Sequence, residues 1–137
     1  MQDLEAQLMR DCRKLFLRGF ELQVRIGIHD FELQAPQRMR FDVDLYVPYV
    51  HSSPTQDRID EIVDYDFVRK TILRLCDTGH INLQETLCDA IAQALLGHAQ
   101  VAAVRVSTCK PDVYPDCDAV GVEVFRLSAA APATASV

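Results

Sequence analysis

The chain has 137 residues, with 14 basic and 20 acidic side chains and a net charge of −6. That length fits one domain with a real core, and the acidic balance excludes nucleic acid as the main partner, because phosphate binding needs a basic stripe. No apolar run approaches the roughly 20 residues of a membrane span, and the mixed-charge N-terminus lacks the apolar core of a signal peptide, so a cytoplasmic protein is expected.

Residues 1–13 read as a short helical or frayed extension ahead of a domain at 14–127. Residues 14–28 read as a strand, with Phe16, Phe20, Leu22, Val24 and Ile26 on one parity. Gly19 and Gly27 mark a bulge or a close backbone approach. A connection containing Pro36 leads to residues 38–48. There Met39, Phe41, Val43, Leu45 and Val47 alternate with Arg40, Asp42, Asp44 and Tyr46, which predicts a half-buried antiparallel strand with Tyr46 on the polar side.

A connection rich in Ser, Pro and Asp fills 48–63, and two helices follow. The first spans about 64–76, capped by Asp64, with Val68, Ile72 and Leu75 as its apolar stripe and Gly79 as a stop signal. The second starts after Asn82, carries Leu83, Leu87, Ile91 and Leu95 at four-residue spacing, and ends at Gly97. Strands at 101–109 and 119–127 complete a ββααββ order, followed by a tail at 128–137 expected to be disordered. The fold class is thus α+β, with a four-stranded antiparallel sheet and two helices on one face. Open sheet edges invite pairing with further copies, and a closed ring of subunits would remove them.

Cys12, Cys76, Cys88, Cys109 and Cys117 show no C-x-x-C spacing, and the four histidines show no ligand spacing. We expect reduced thiols, no metal and no cofactor. The chemistry then rests on a few single residues. Lys110 closes an apolar run directly before Pro111, which fixes an amine at the rim of the sheet. It reads either as a solvated strand-end lysine or as a proton donor tuned by partial burial. Glu85 lies three residues beyond Asn82 and reads as the Glu of a capping box, or as a first-turn carboxylate able to accept two N–H bonds from an amidine-like edge. Glu32 lies in a loop, Tyr65 sits at a helix start, and His29 sits beside a turn; each is a packing or solvated residue or a proton-handling group.

Taken together, these strings resemble the dihydroneopterin aldolase family. The match runs through Leu17-Arg-Gly-Phe, Ile26-Gly-Ile-His-Asp-Phe-Glu32 with Gln37, Val63-Asp-Tyr65, Asn82-Leu-Gln-Glu85-Thr-Leu, and Val104-Arg-Val-Ser-Thr-Cys-Lys110-Pro111, ending in Val120-Gly-Val-Glu-Val. The resemblance implies a tunnelling fold, with subunits joined into a barrel-like tetramer or octamer and sites between subunits. It implies cleavage of the pterin 7,8-dihydroneopterin without metal or Schiff base, with C2′ epimerisation as a side activity. By the same resemblance Lys110, Tyr65 and Glu32 are the catalytic set, with Glu32 near the substrate hydroxyls. Glu85 anchors the amino-pyrimidine edge, helped by the backbone of Leu83 and Gln84, and Val63 adds main-chain contacts from the adjacent subunit. Gln84 departs from the family's usual Leu, and the loop at 111–118 departs from its usual wording. Two other readings compete: a dihydroneopterin triphosphate epimerase, and a non-catalytic ring protein that binds a pterin.

Overall fold

A computed structural model describes residues 3–129. Its elements are α1 (Leu4–Asp11), β1 (Cys12–Val24), α2 (Asp30–Gln34), β2 (Gln37–Pro48), α3 (Asp66–Cys76), α4 (Gln84–Leu96), β3 (Ala103–Lys110) and β4 (Val120–Leu127). The four strands form one antiparallel sheet in the order β1-β2-β3-β4. The sheet is open within the chain, with β1 and β4 at its edges.

Alternation in β2 builds the main core as expected. Met39, Phe41, Val43, Leu45 and Val47 are all buried, facing Val68 and Ile72 of α3 and Leu87, Ile91 and Leu95 of α4. Truncating one of these side chains to alanine would cost about 2–5 kcal/mol, so this face alone accounts for much of the stability.

The parity expected for the first strand changes partway along it. Leu17 pairs with Val43 but Phe20 pairs with Phe41, so one extra residue is inserted between them. Gly19 absorbs it at φ 64°, and its N–H donates to Asp42 Oδ1 at 2.8 Å. Leu15 and Leu17 therefore join Phe20, Leu22 and Val24 against the core. Phe16 points the other way, exposed and covered by the Arg18 guanidinium at 4.5 Å. Ile26 lies beyond the strand, in a single parallel bridge with Ile81.

The short helix expected within the extension at 1–13 is present as α1. Asp3 caps α1 by accepting from the Glu5 N–H, and Leu8 of α1 packs with Cys12, Tyr46, Ala102 and Ala103 in a second small core. The strand begins at Cys12, and α1 covers one end of the sheet's outer face. That is why Tyr46, expected on a polar face, is fully buried. At the other end of the chain, the Ser128 N–H donates to Ala102 O, so this residue still belongs to the sheet's edge. Residues 130–137 of the expected disordered tail lie outside the described residues.

The N-cap of α3 is Tyr65, without a side-chain cap bond, so Asp64 stands one residue ahead of the expected cap; its carboxylate still accepts from the Asp66 N–H at 2.9 Å. Asn82 likewise stands one residue ahead of its helix's cap. The N-cap residue of α4 is Leu83, which has no side-chain cap bond. The expected capping box is absent, and Glu85 stands one position earlier in the helix than its spacing from Asn82 suggested.

Candidate active site

A cleft of about 370 Å³ opens where β3 ends, α4 begins and the segment after β1 crosses between them. Glu32, Leu83, Gln84, Glu85 and Lys110 line it, together with Gly27, His29 and Tyr114.

Lys110 is the last residue of β3, pairing with Val120 across the sheet before Pro111 ends the strand. Its side chain is 11 % exposed and its Nζ lies 2.6 Å from Glu32 Oε2. Glu32 is in a short helix, not an open loop, and only 4 % of it is exposed. The same Oε2 accepts from Gln37 Nε2 at 2.8 Å, and Oε1 accepts from the His29 N–H at 3.3 Å. That last bond is the return arm of a capping box, from the third residue of α2 to its N-cap. Burial pushes the Glu32 carboxyl up, but the bonds from Lys110, Gln37 and His29, with the charge of Lys110, outweigh it and hold it near about 2. Glu32 therefore meets Lys110 as a buried carboxylate.

Gly27 makes this possible. It has φ 120°, and a Cβ added there would sit 2.1 Å from the Glu32 carboxyl carbon. Its backbone is tied to the start of the helical layer, since its N–H donates to Ile81 O and His80 Nε2 bonds its carbonyl at 2.7 Å. Here the close approach expected at a glycine is real.

Glu85 differs. It is exposed in the first turn of α4, and its carboxylate has no hydrogen bond or ion pair among the described residues. The helix N-terminus favours its negative charge. Its two oxygens can accept two parallel N–H donors. Its neighbour Gln84 is fully engaged, accepting from Thr108 Oγ1 and donating to Val120 O.

Val63 and Tyr65 stand apart from this cleft. Val63 is buried in the main core, and Tyr65 is 64 % exposed just ahead of α3. The single chain thus gathers five of its seven expected site residues and leaves these two elsewhere. Among the contributors with no role assigned from sequence, Gln37 has no local signal beyond its place in a motif string, whereas Val113 and Tyr114 lie in the loop after Lys110 that departs from the family wording. That loop is pinned by Arg38, which donates to both Asp112 oxygens at 2.9 and 3.2 Å.

The arrangement places an exposed carboxylate acceptor and an ammonium donor in one cleft, which suits a flat heterocycle with an amidine edge and a basic ring nitrogen. The sequence model of the dihydroneopterin aldolase family matches residues 15–125. A Streptomyces coelicolor dihydroneopterin aldolase is 28 % identical over 115 residues, covering 82 % of this chain and 96 % of that one. A Haemophilus influenzae dihydroneopterin aldolase is 22 % identical over 113 residues, covering 82 % and 95 %. Among solved structures, a Burkholderia dihydroneopterin aldolase bound to guanine superposes with a TM-score of 0.83 at 50 % identity, covering 92 % of this chain and 99 % of that one. The fold is also that of an Escherichia coli dihydroneopterin aldolase in complex with neopterin, with a TM-score of 0.77 at 21 % identity and coverages of 83 % and 98 %. No helix among the described residues is long and apolar enough to cross a membrane. With the whole cleft inside the matched span, the chain belongs to the dihydroneopterin aldolase family.

Proposed function

We propose that this protein cleaves 7,8-dihydroneopterin into 6-hydroxymethyl-7,8-dihydropterin and glycolaldehyde, a step of folate biosynthesis. The observation that carries the reading is the shared cleft, with Glu85 lacking a side-chain partner among the described residues and Lys110 bound to Glu32. Glu85 accepts from the 2-amino and N3–H groups of the pterin, with the backbone at Leu83 and Gln84 beside it. Guanine presents the same amino-pyrimidine edge, and a relative 50 % identical to this chain was solved with guanine bound.

In the reaction the C1′–C2′ bond breaks. Its electron pair moves through C6 to N5, which takes a proton from Lys110, so an enamine forms in place of a bare carbanion. The C2′ hydroxyl passes its proton to a water relayed by Tyr65, that carbon leaves as the aldehyde of glycolaldehyde, and the same relay later delivers the proton to C1′. Protonation of the enamine at C1′, with return of the N5 proton to Lys110, yields the hydroxymethyl product. The ring imine is the electron sink. Glu32 holds the amine in place through the cycle and borders the substrate hydroxyls.

Tyr65 and Val63 join the site from a neighbouring subunit in this reading. The exposed Tyr65 ring, and the open edges at β1 and β4, support edge-to-edge assembly into a tetramer or octamer. All five cysteines are free thiols, in keeping with the reducing cytoplasm.

The test is incubation with 7,8-dihydroneopterin, with glycolaldehyde and pterin products quantified together. Equal amounts of glycolaldehyde and 6-hydroxymethyl-7,8-dihydropterin are expected. Dihydromonapterin without glycolaldehyde would make the protein an epimerase. Pterin binding without turnover would make it a binding protein.

A further inference from the structure

The first turn of α4 carries Leu83 and Glu85 into the cleft, yet its N-cap has no side-chain bond. Something else must hold it. Gln84 Oε1 accepts from Thr108 Oγ1 at 3.0 Å, and Gln84 Nε2 donates to Val120 O at 3.3 Å. Thr108 is 1 % exposed and stands two residues before Lys110 on the same strand, so both face the same side of the sheet. Val120 is the residue paired with Lys110 across β3 and β4. Both bonds of the Gln84 amide therefore end on the strand pair that presents Lys110.

A glutamine at the first position of a helix needs neither bond for helix formation, where most residues are tolerated. The buried Thr108 hydroxyl has its side-chain partner in this amide. We propose that Gln84 is a positioning residue, whose amide fixes the Glu85 end of α4 against the Lys110 end of β3. It sets how far a ring gripped by Glu85 lies from the Lys110 amine. Displacement of a reacting group by about 1 Å can cost about a hundredfold in rate. The grip on the ring itself survives such a displacement, since Glu85 is still present.

The kinetic part of the test rests on the aldolase reading; a second readout does not. Gln84→Leu installs the residue usual in the family here and keeps helix propensity and bulk, but in this chain it leaves the buried Thr108 hydroxyl and the first turn of α4 without the two amide bonds. It is expected to lower kcat by about tenfold or more while KM stays within about threefold. Thr108→Val should act in the same direction, and Thr108→Ser, which keeps the hydroxyl, should restore parental kcat. Hydrogen exchange at the Leu87 N–H, which bonds to Leu83 O in the first turn, should quicken in Gln84→Leu while β2 amides stay protected. If the parent turns over no dihydroneopterin, exchange at Leu87 decides alone. Unchanged kcat or unchanged Leu87 exchange in Gln84→Leu would overturn the proposal. So would a Thr108→Ser protein that behaves like Thr108→Val.

Discussion

The two glutamates of the cleft share a side chain and little else. Glu32 is buried and takes donors from Lys110, Gln37 and the His29 backbone. Glu85 is exposed and has no side-chain partner among the described residues. A buried carboxylate must be satisfied within the protein or it would neutralise, so Glu32 is a finished part of the scaffold. An exposed one in a helix's first turn lies where the helix dipole favours negative charge, and it can exchange water for a ligand at little cost. One glutamate thus fixes the Lys110 amine, and the other is the one that meets the substrate in the proposed reaction.

That contrast can be broken from the reacting side first. Lys110→Met should lower turnover by about 10²–10⁴-fold, the usual range for losing a general acid–base group. Pterin affinity, read by fluorescence titration, should change far less, because Glu85 is untouched. Equal losses in both would mean that Lys110 mainly binds.

Glu32→Gln probes the finished carboxylate through its pH dependence. The Glu32 carboxyl is lowered from 4.5 to about 2 in the fold. Its contribution is therefore complete above about 4.5 and is lost as pH falls through about 2. The shift corresponds to about 3 kcal/mol. Urea midpoints should show the parent well above Glu32→Gln at pH 6, with the gap closing between pH 4.5 and 2. A gap that does not change over that window would sever Glu32 from its three donors.

For the exposed carboxylate the prediction is reversed. Glu85→Gln should weaken pterin binding by about 10–100-fold, the range for losing charge-assisted hydrogen bonds of about 1.5–3 kcal/mol. Its melting temperature should barely move, since no capping box is lost. The smallest effect belongs to Asn82→Ala. A true N-cap would cost about 1 kcal/mol on removal, whereas here the change in stability should fall below about 0.5 kcal/mol. A full cap-sized loss in thermal denaturation would restore the capping box and undo the contrast.

The legible parts of the fold were those with local causes. Strict alternation in β2 and four-residue spacing in α4 gave the core faces, because each element buries one side. Phe16 was misplaced because the extra residue at Gly19 reverses parity, and Tyr46 because α1 covers its face from 35 or more residues away in sequence. Lys110 and Glu85 were legible from a strand end and a helix start. Their environments were not. The Lys110–Glu32 pair spans 78 residues and the Thr108–Gln84 bond spans 24. Such pairs depend on how the sheet and helices dock, which no local pattern encodes. Tyr65 is placed by the family resemblance alone, since nothing in the single chain carries it to the cleft.

A crystal structure of the assembled protein with neopterin bound tests the central claim most directly. The account predicts the 2-amino and N3 groups on the Glu85 carboxylate, with N5 turned toward the Lys110 amine. A pterin seated elsewhere, or reversed so that its amino-pyrimidine edge meets Lys110, would contradict it.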